Sequence, residues 1–318
     1  MISDEEVHIN DVTTVGMCTY DQIMLMDSYP EEDKKYIARD VVFRYGGMAT
    51  NIAVTLSKLG LHTALVSVVG CDKTGEEALD HLDKERVDTS GVRTIDEATQ
   101  RTCIIVNKST ASRTAIAKKL LRVTTLDDVQ RNIIRNSRMI YLDGSVGPEV
   151  CEHILSDARR CNCGTFYDLE LLTEECLKFF QQCHYGIMSE QVANELEAGS
   201  SYRPILKRLW KSGSKLKGIT LGKKGSLFYN GNKFIRGLVY IARARAVIDS
   251  TGAGDAFQAG IIFGVLGDFD LQLTLDIASV MAGLTCTVIG AHAYEFDLEE
   301  ILSIAKNLRT SEGGVDSE

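Results

Sequence analysis

The chain has 318 residues, 44% of them hydrophobic and 25% charged, the proportions of an ordinary globular protein rather than a disordered or fibrous one. Its formal net charge of −9, from 35 basic against 44 acidic residues, leaves no basic surplus with which to coat a nucleic acid or an anionic membrane. The opening MISDEEVHIN is polar, no run of eighteen apolar residues follows, and the nine cysteines are scattered without paired CxxC spacing; a reduced, cytoplasmic protein without a zinc site is expected.

Taken in chain order, a first strand is predicted at Val12–Met17, followed by KKYIARDVVFRYGG, which reads as a strand with a polar face. In ATNIAVTLSKLG, the residues Ala49, Ile52, Ala53, Leu56 and Leu59 fall on one helical face, and Gly60 ends the helix. A strand at Thr63–Val69 and a helix at Thr74–Glu85 lead to RTCIIVNKSTASRTAIAKK, again strand-like with no crossover helix. This segment and the earlier one, about 34–46 and 101–119, are expected to pair as a small lid sheet. Strands at Met139–Leu142, Thr165–Tyr167, Gly186–Met188 and Gly218–Thr220 then alternate with helices at Leu126–Asn136, Glu149–Arg160 and Pro204–Ser212. LFYNGNKFI carries the Asn-Gly signal of a hairpin, and helices at Leu271–Val288 and Leu298–Asn307 follow. The alternation predicts an α/β fold: one doubly wound, mainly parallel sheet with helices on both faces over 1–309, plus the discontinuous β lid. The polar tail 310–318 is expected to fray.

The stretch DSTGAGDAFQAG, Asp249 to Gly260, places Gly252, Ala253 and Gly254 at the start of an apolar helical run. The first N–H groups of a helix lack internal partners, and the helix dipole makes that end positive, so this turn is suited to an anion. Asp255 has two readings. It is a first-turn residue favoured by the dipole, or a base that takes the proton of a hydroxyl attacking a phosphoryl group. A P-loop is excluded, because GITLGKKGS is one residue short of the required spacing and no Ser or Thr follows Lys223. A GxGxxG dinucleotide fingerprint is missing.

Five ordered motifs resemble the ribokinase-type carbohydrate kinases. DSTGAGDAFQAG is similar to their DTxGAGDxFxxG signature, and GGMATNIAVTLSKLG to their N-terminal one. SVVGCDKTGEEAL, VDTSGV and ITLGKKGSLFYNG resemble the segments between. The resemblance spans Val12 to about Asn307 and implies the ribokinase-like fold. It implies that Asp255 is the catalytic base, with Gly252, Ala253 and Gly254 as anion hole. Asp21, Gly47 and Asn51 would hold the sugar, and Thr220, Gly222 and Gly225 the nucleotide. Asp249 and Thr251 fall where many members hold a monovalent cation such as K⁺, although Tyr294 replaces a small polar residue of that loop.

Within the family, MSEQVANEL puts Ser189 and Val192 where many members carry the Asn and Glu of an NxxE motif; Ser189 stays among the expected cofactor-binding residues. DSYPEEDKKYIARDVVFRYGG and Ser112–Thr114 resemble ketohexokinases and bacterial ketose kinases, which adds Arg113 and Asp33 to the substrate site. Met48 departs from the polar residue of ketohexokinases. The implied activity is ATP- and Mg²⁺-dependent phosphorylation of a hydroxymethyl group of a small sugar, a ketose or related carbohydrate. A nucleoside kinase, with Tyr36, Phe43 and Tyr45 against the base, and a non-catalytic sugar or nucleotide sensor are the alternatives. Exposed edges of the lid strands point to a homodimer through the lid.

Overall fold

The computed structural model describes residues 10–118, 121–197, 199, 201–242 and 246–309. The expected fraying tail 310–318 and Lys119, at the end of the expected lid, lie outside these. In chain order the elements are β1 (Asn10–Val15), β2 (Thr19–Met26), β3 (Asp40–Gly46), α1 (Met48–Lys58), β4 (Thr63–Gly70), α2 (Lys73–Lys84), β5 (Val92–Ile95), β6 (Arg101–Asn107), β7 (Ser112–Ala117), α3 (Asp128–Arg135), β8 (Ser137–Leu142) and α4 (Pro148–Arg160). There follow β9 (Gly164–Leu169), α5 (Glu174–Gln182), β10 (Tyr185–Ser189), α6 (Glu190–Leu196), α7 (Tyr202–Leu209), β11 (Leu216–Thr220), β12 (Ser226–Tyr229), β13 (Phe234–Gly237), α8 (Ala253–Leu266), α9 (Leu271–Thr285) and α10 (Leu298–Asn307).

The large sheet runs β13-β12-β11-β10-β9-β8-β1-β4-β5. It is parallel from β5 to β11, and the expected Asn-Gly hairpin adds β12 and β13 antiparallel at one edge. The inner parallel strands are covered on both faces, which is why β4, TALVSVVG, is buried at every position. Its alternate residues split between two cores. Leu65 and Val69 pack with α1, α8 and α9, while Ala64 and Val66 pack on the opposite face with residues of α3 and α4. Such buried aliphatic side chains contribute about 1.5–3 kcal/mol each.

The chain winds from β1 through β4 to β5, then restarts at β8 on the other side of β1 and winds out to β11. The crevice outside the carboxyl ends of β1 and β8 is therefore the switch point, where doubly wound sheets bind ligands.

A second sheet runs β3-β2-β6-β7. The two segments expected to pair with each other do not. β2 lies between them, antiparallel to β3 and parallel to β6. Only Asp40–Gly46 of the earlier segment is strand, and residues 34–39 are not. Strand β2, TYDQIMLM, was hidden by its polar start: the polar Thr19 and Asp21 are buried by site contacts, not by a core.

Helix starts follow local chemistry. Asp72, Asp127, Thr173, Asp270 and Asp297 each accept a first-turn N–H, as good N-caps do. The Thr173 cap and the two Glu after it mark α5, which periodicity alone missed. In contrast, α8 begins at Gly252 with no side-chain cap. Helix α8 is apolar nearly all round and packs closely on α9, because Gly260 lets the backbone of Ala278 approach.

Candidate active site

At the switch point, Asp143 follows β8 and is fully buried. It accepts the N–H of Met17 at 2.8 Å and the N–H and hydroxyl of Ser145, so it stitches the end of β1 to the end of β8. Gly16 is needed here, since a Cβ would overlap the Asp143 carboxylate. Burial raises the pKa of Asp143 despite these donors. Its link to Met17 comes from a remote segment, so Asp143 was not singled out in the sequence.

The turn before α8 is braced from behind. Asp249 Oδ1 accepts the N–H of Thr251 at 2.8 Å and its hydroxyl at 2.6 Å, and Oδ2 accepts the N–H of Gly290 at 3.1 Å. The two residues expected at a cation site thus tie the turn to the loop after α9, where Tyr294 is buried beside Phe296. Gly252 is left-handed (φ 76°), and a Cβ on it would run into the backbone of Ala291. Gly254 has open space beside it.

Asp255, in the first turn of α8, accepts the Nδ2–H of Asn51 at 2.7 Å. That contact joins the two signature segments. Burial raises the pKa of Asp255, the Asn51 bond and the Arg113 charge lower it, and Asp143 raises it again. Arg113 on β7 also acts on Glu170, just past β9, whose own pKa burial and the Asp168 charge push up. Asp168 is buried, accepts Gln258 Nε2–H at 2.8 Å and Tyr141 O–H at 3.4 Å, and is likewise pushed up by burial. Asp168, Glu170 and Gln258 escaped the sequence reading. Gln258 stands three residues after Asp255, so it shares a face of α8 with it.

Asp21 lies on β2, with its carboxylate bonded to the hydroxyl of Thr19 at 2.8 Å and to that of Thr102 on β6. By register, Asp21 stands opposite Arg44, and Arg113 stands opposite Val106, two pleats along β6 from Ile104 and Thr102. Asp21, Arg44, Thr102 and Arg113 therefore share one face of the small sheet. Arg44 was not anticipated; its side chain lies over Gly290. Gly47 is left-handed (φ 97°) between this sheet and α1. Asp33 sits exposed in a turn (φ 57°) between β2 and β3, and no hydrogen bond among the described residues ties it to Asp21 or Asp255.

Burial raises the pKa of Asp21 to about 6. The folded protein then holds a proton there that the unfolded chain gives up near pH 4, so stability is lost as pH rises through about 6. Asp21→Asn removes that penalty, which is ~3 kcal/mol above pH 6 by linkage. The variant is expected to melt several degrees higher at pH 7.5 and at the same temperature at pH 4, by calorimetry.

On the far side of the crevice, Gly222 (φ 56°) and Gly225 (φ 87°) shape the turn after Thr220, and Gly225 leaves room for the carbonyl of Gly237. Ser189 caps α6 by accepting the N–H of Val192, and Val192 joins the core. Glu190 accepts Tyr202 O–H at 2.7 Å and pairs with Lys224 at 2.8 Å, which anchors the glycine turn to α6.

A family model, "pfkB family carbohydrate kinase", matches residues 10–295. The chain is 26% identical over 317 residues to an ATP-dependent 6-phosphofructokinase of Thermoanaerobacterium thermosaccharolyticum, covering 92% of this chain and 93% of the relative. It is 25% identical to mouse ketohexokinase, covering 88% and 97%. Among solved structures, Arabidopsis thaliana ribokinase complexed with ribose and ATP superposes with a TM-score of 0.80 at 22% identity, covering 93% of this chain and 99% of that one. Among the described residues, no helix is long and apolar enough to cross a membrane.

Proposed function

The chain belongs to the pfkB family of carbohydrate kinases, and from that premise we propose that it transfers the γ-phosphoryl group of ATP to a hydroxymethyl group of a small sugar. Asp255 is the general base, and the turn Gly252–Gly254 is the anion hole. The observation that carries this reading is the start of α8: its first-turn N–H groups have no side-chain cap, and Asp255 is bonded to Asn51 instead.

In this reaction the sugar hydroxyl oxygen attacks the γ-phosphorus while Asp255 takes its proton. The bond from the γ-phosphorus to the bridging oxygen breaks, and ADP leaves with that electron pair. The N–H groups of the turn face the charge that develops and need no reorganisation. Asp21, Gly47 and Asn51 hold the sugar, and Arg113 adds positive charge beside Asp255 and Glu170. Thr220, Gly222, Gly225 and Ser189 border the nucleotide.

Among the described residues, no group of three or more His, Cys, Asp or Glu is arranged to hold a metal by itself. Mg²⁺ would enter on the nucleotide phosphates and be touched by one or two carboxylates; Asp143, Asp168 and Glu170, whose charges act together with that of Asp255, would be the candidates. Bound there, the ion neutralises phosphate charge. The small sheet acts as a lid that excludes water as a competing acceptor.

A carbohydrate is favoured over a nucleoside by the aromatics. Phe43 stacks on Tyr20 and Tyr45 packs tilted against it (centroids 5.6 and 5.3 Å apart), and all three alternate with Asp21 and Arg44 onto the opposite face of the sheet. They form no wall beside Asp21. Val41, Phe43 and Ile116 leave that opposite face apolar and exposed, which supports pairing of two copies through it. ADP release from MgATP is expected with at least one of D-fructose, D-ribose and D-fructose 6-phosphate, and not with adenosine. Turnover on adenosine alone would reverse the preference. Silence across the panel, with ATP binding retained, would favour the sensor.

A further inference from the structure

Behind the Asn51–Asp255 bond runs a line of hydrogen bonds to which the reaction above assigns no part. Asn51 donates Nδ2–H to Asp255, and its Oδ1 stands 3.0 Å from Nδ1 of His292, on the loop after α9. Nε2 of His292 stands 3.0 Å from Nε2 of His81 on α2. His292 is 5% exposed. His81 is half-buried against the ring of Tyr45 on β3, 5.3 Å between centroids, and Tyr45 O–H donates to Glu77 at 3.1 Å.

The protons along this line are fixed by chemistry. An amide oxygen only accepts, so Nδ1 of His292 carries a hydrogen. A neutral imidazole has one N–H, so Nε2 of His292 is the acceptor and His81 donates to it. A flipped Asn51 amide would set its NH₂ against the His292 N–H and its oxygen against the Asp255 carboxylate. In the Nδ1–H tautomer both contacts would be lost, and in either tautomer the contact to the ionised Asp255 would be lost.

We infer that His292, held in its Nδ1–H tautomer by His81, is a positioning residue that locks the Asn51 amide and through it the Asp255 carboxylate. This rests on the reading of Asp255 as the base. The groups around His292 keep it neutral. Burial lowers its pKa to about 3, and the positive charge of Lys58 on α1 and Arg44 on β3 acts in the same direction. Lys58 also donates to the His292 carbonyl at 2.9 Å and is itself paired with Glu295 and Glu85.

Two measurements test this. Long-range ¹H–¹⁵N spectra of the wild-type protein need no acceptor; they are expected to show His292 as the neutral Nδ1–H tautomer from pH 5.5 to 8.5. The Nε2–H tautomer would overturn the inference. The second is kinetic, using MgATP and the best sugar of the panel. His292→Leu is expected to lower kcat about tenfold or more, the scale of a misplaced reacting group, with KM for MgATP within about twofold.

Its acidic limb should move to higher pH, because the Asn51 bond that holds the Asp255 pKa down is loosened. His292→Gln, whose amide can still donate to Asn51, is expected to restore both. His81→Phe keeps the stack on Tyr45 but removes the donor, and is expected to shift the limb the same way; it serves if His292→Leu fails to fold. An unchanged limb and kcat in the Leu and Phe variants would sink the positioning role. Asp255→Asn run beside them separates the two ideas: if that variant is inactive while the histidine variants match wild type, only the positioning role fails. If it turns over like wild type, the base assignment itself fails.

Discussion

Asp255→Asn is expected to lower kcat by about 10²-fold or more, the usual loss for a removed general base, while the Kd for MgATP stays within a few-fold. Asn has the shape of Asp and its oxygen can still accept from Asn51, so the α1–α8 contact survives. What disappears is the group that takes the proton. The same variant should be at least as stable as wild type at pH 7.5, since burial and Asp143 disfavour the carboxylate in the folded state. Calorimetry beside single-turnover kinetics checks both halves. Were Asp255 only a first-turn residue favoured by the helix dipole, the outcome would invert. Stability would then fall by about 0.3–1 kcal/mol and turnover would hardly change.

The second large effect is expected at Gly252. An L-residue at φ 76° costs roughly 1–2 kcal/mol, and in Gly252→Ala the new methyl also meets the backbone of Ala291. The turn must then move away from the loop after α9 and take its N–H groups with it. A fall in kcat on the order of 10²-fold is expected, as for a lost oxyanion donor, together with a melting temperature lower by several degrees. Gly254→Ala is the control. Its methyl meets open space, so the melting temperature should hold, while KM for MgATP rises because the methyl occupies the approach to the phosphates. If both variants lost stability alike and neither lost turnover beyond that, the anion-hole assignment would be wrong.

Much of this molecule was legible in its sequence because its devices are local. The helical runs of α1 to α4, α7, α9 and α10, the Asn-Gly hairpin and the apolar runs of β1, β4 and β8 each follow from neighbours in the chain, and the structure differs from the expected bounds by a few residues. Strand β2 was not legible, because its polar side chains are buried by partners on other elements. The same reason hides part of the site. Asp143 takes its donor from Met17, 126 positions away, and His292 meets Asn51 across 241; nothing around either residue announces the contact. The site residues that the sequence singles out lie mostly in signature segments, whose spacing carries the pattern. Asp33, drawn in by a weaker likeness, lies exposed at a turn with no hydrogen bond among the described residues to Asp21 or Asp255.

The four-stranded sheet has one more implication. Asp21, Arg44, Thr102 and Arg113 ride on strands hydrogen-bonded to one another, whereas Asp255 and the glycine turn belong to α8 and its brace at Asp249. On the proposed reading, most of the acceptor-facing side chains and the phosphoryl-transfer turn would sit on different elements, bridged by the Asn51 amide. If that reading holds, substitutions on one face of the small sheet are expected to change acceptor preference while the turn before α8 is left as it is.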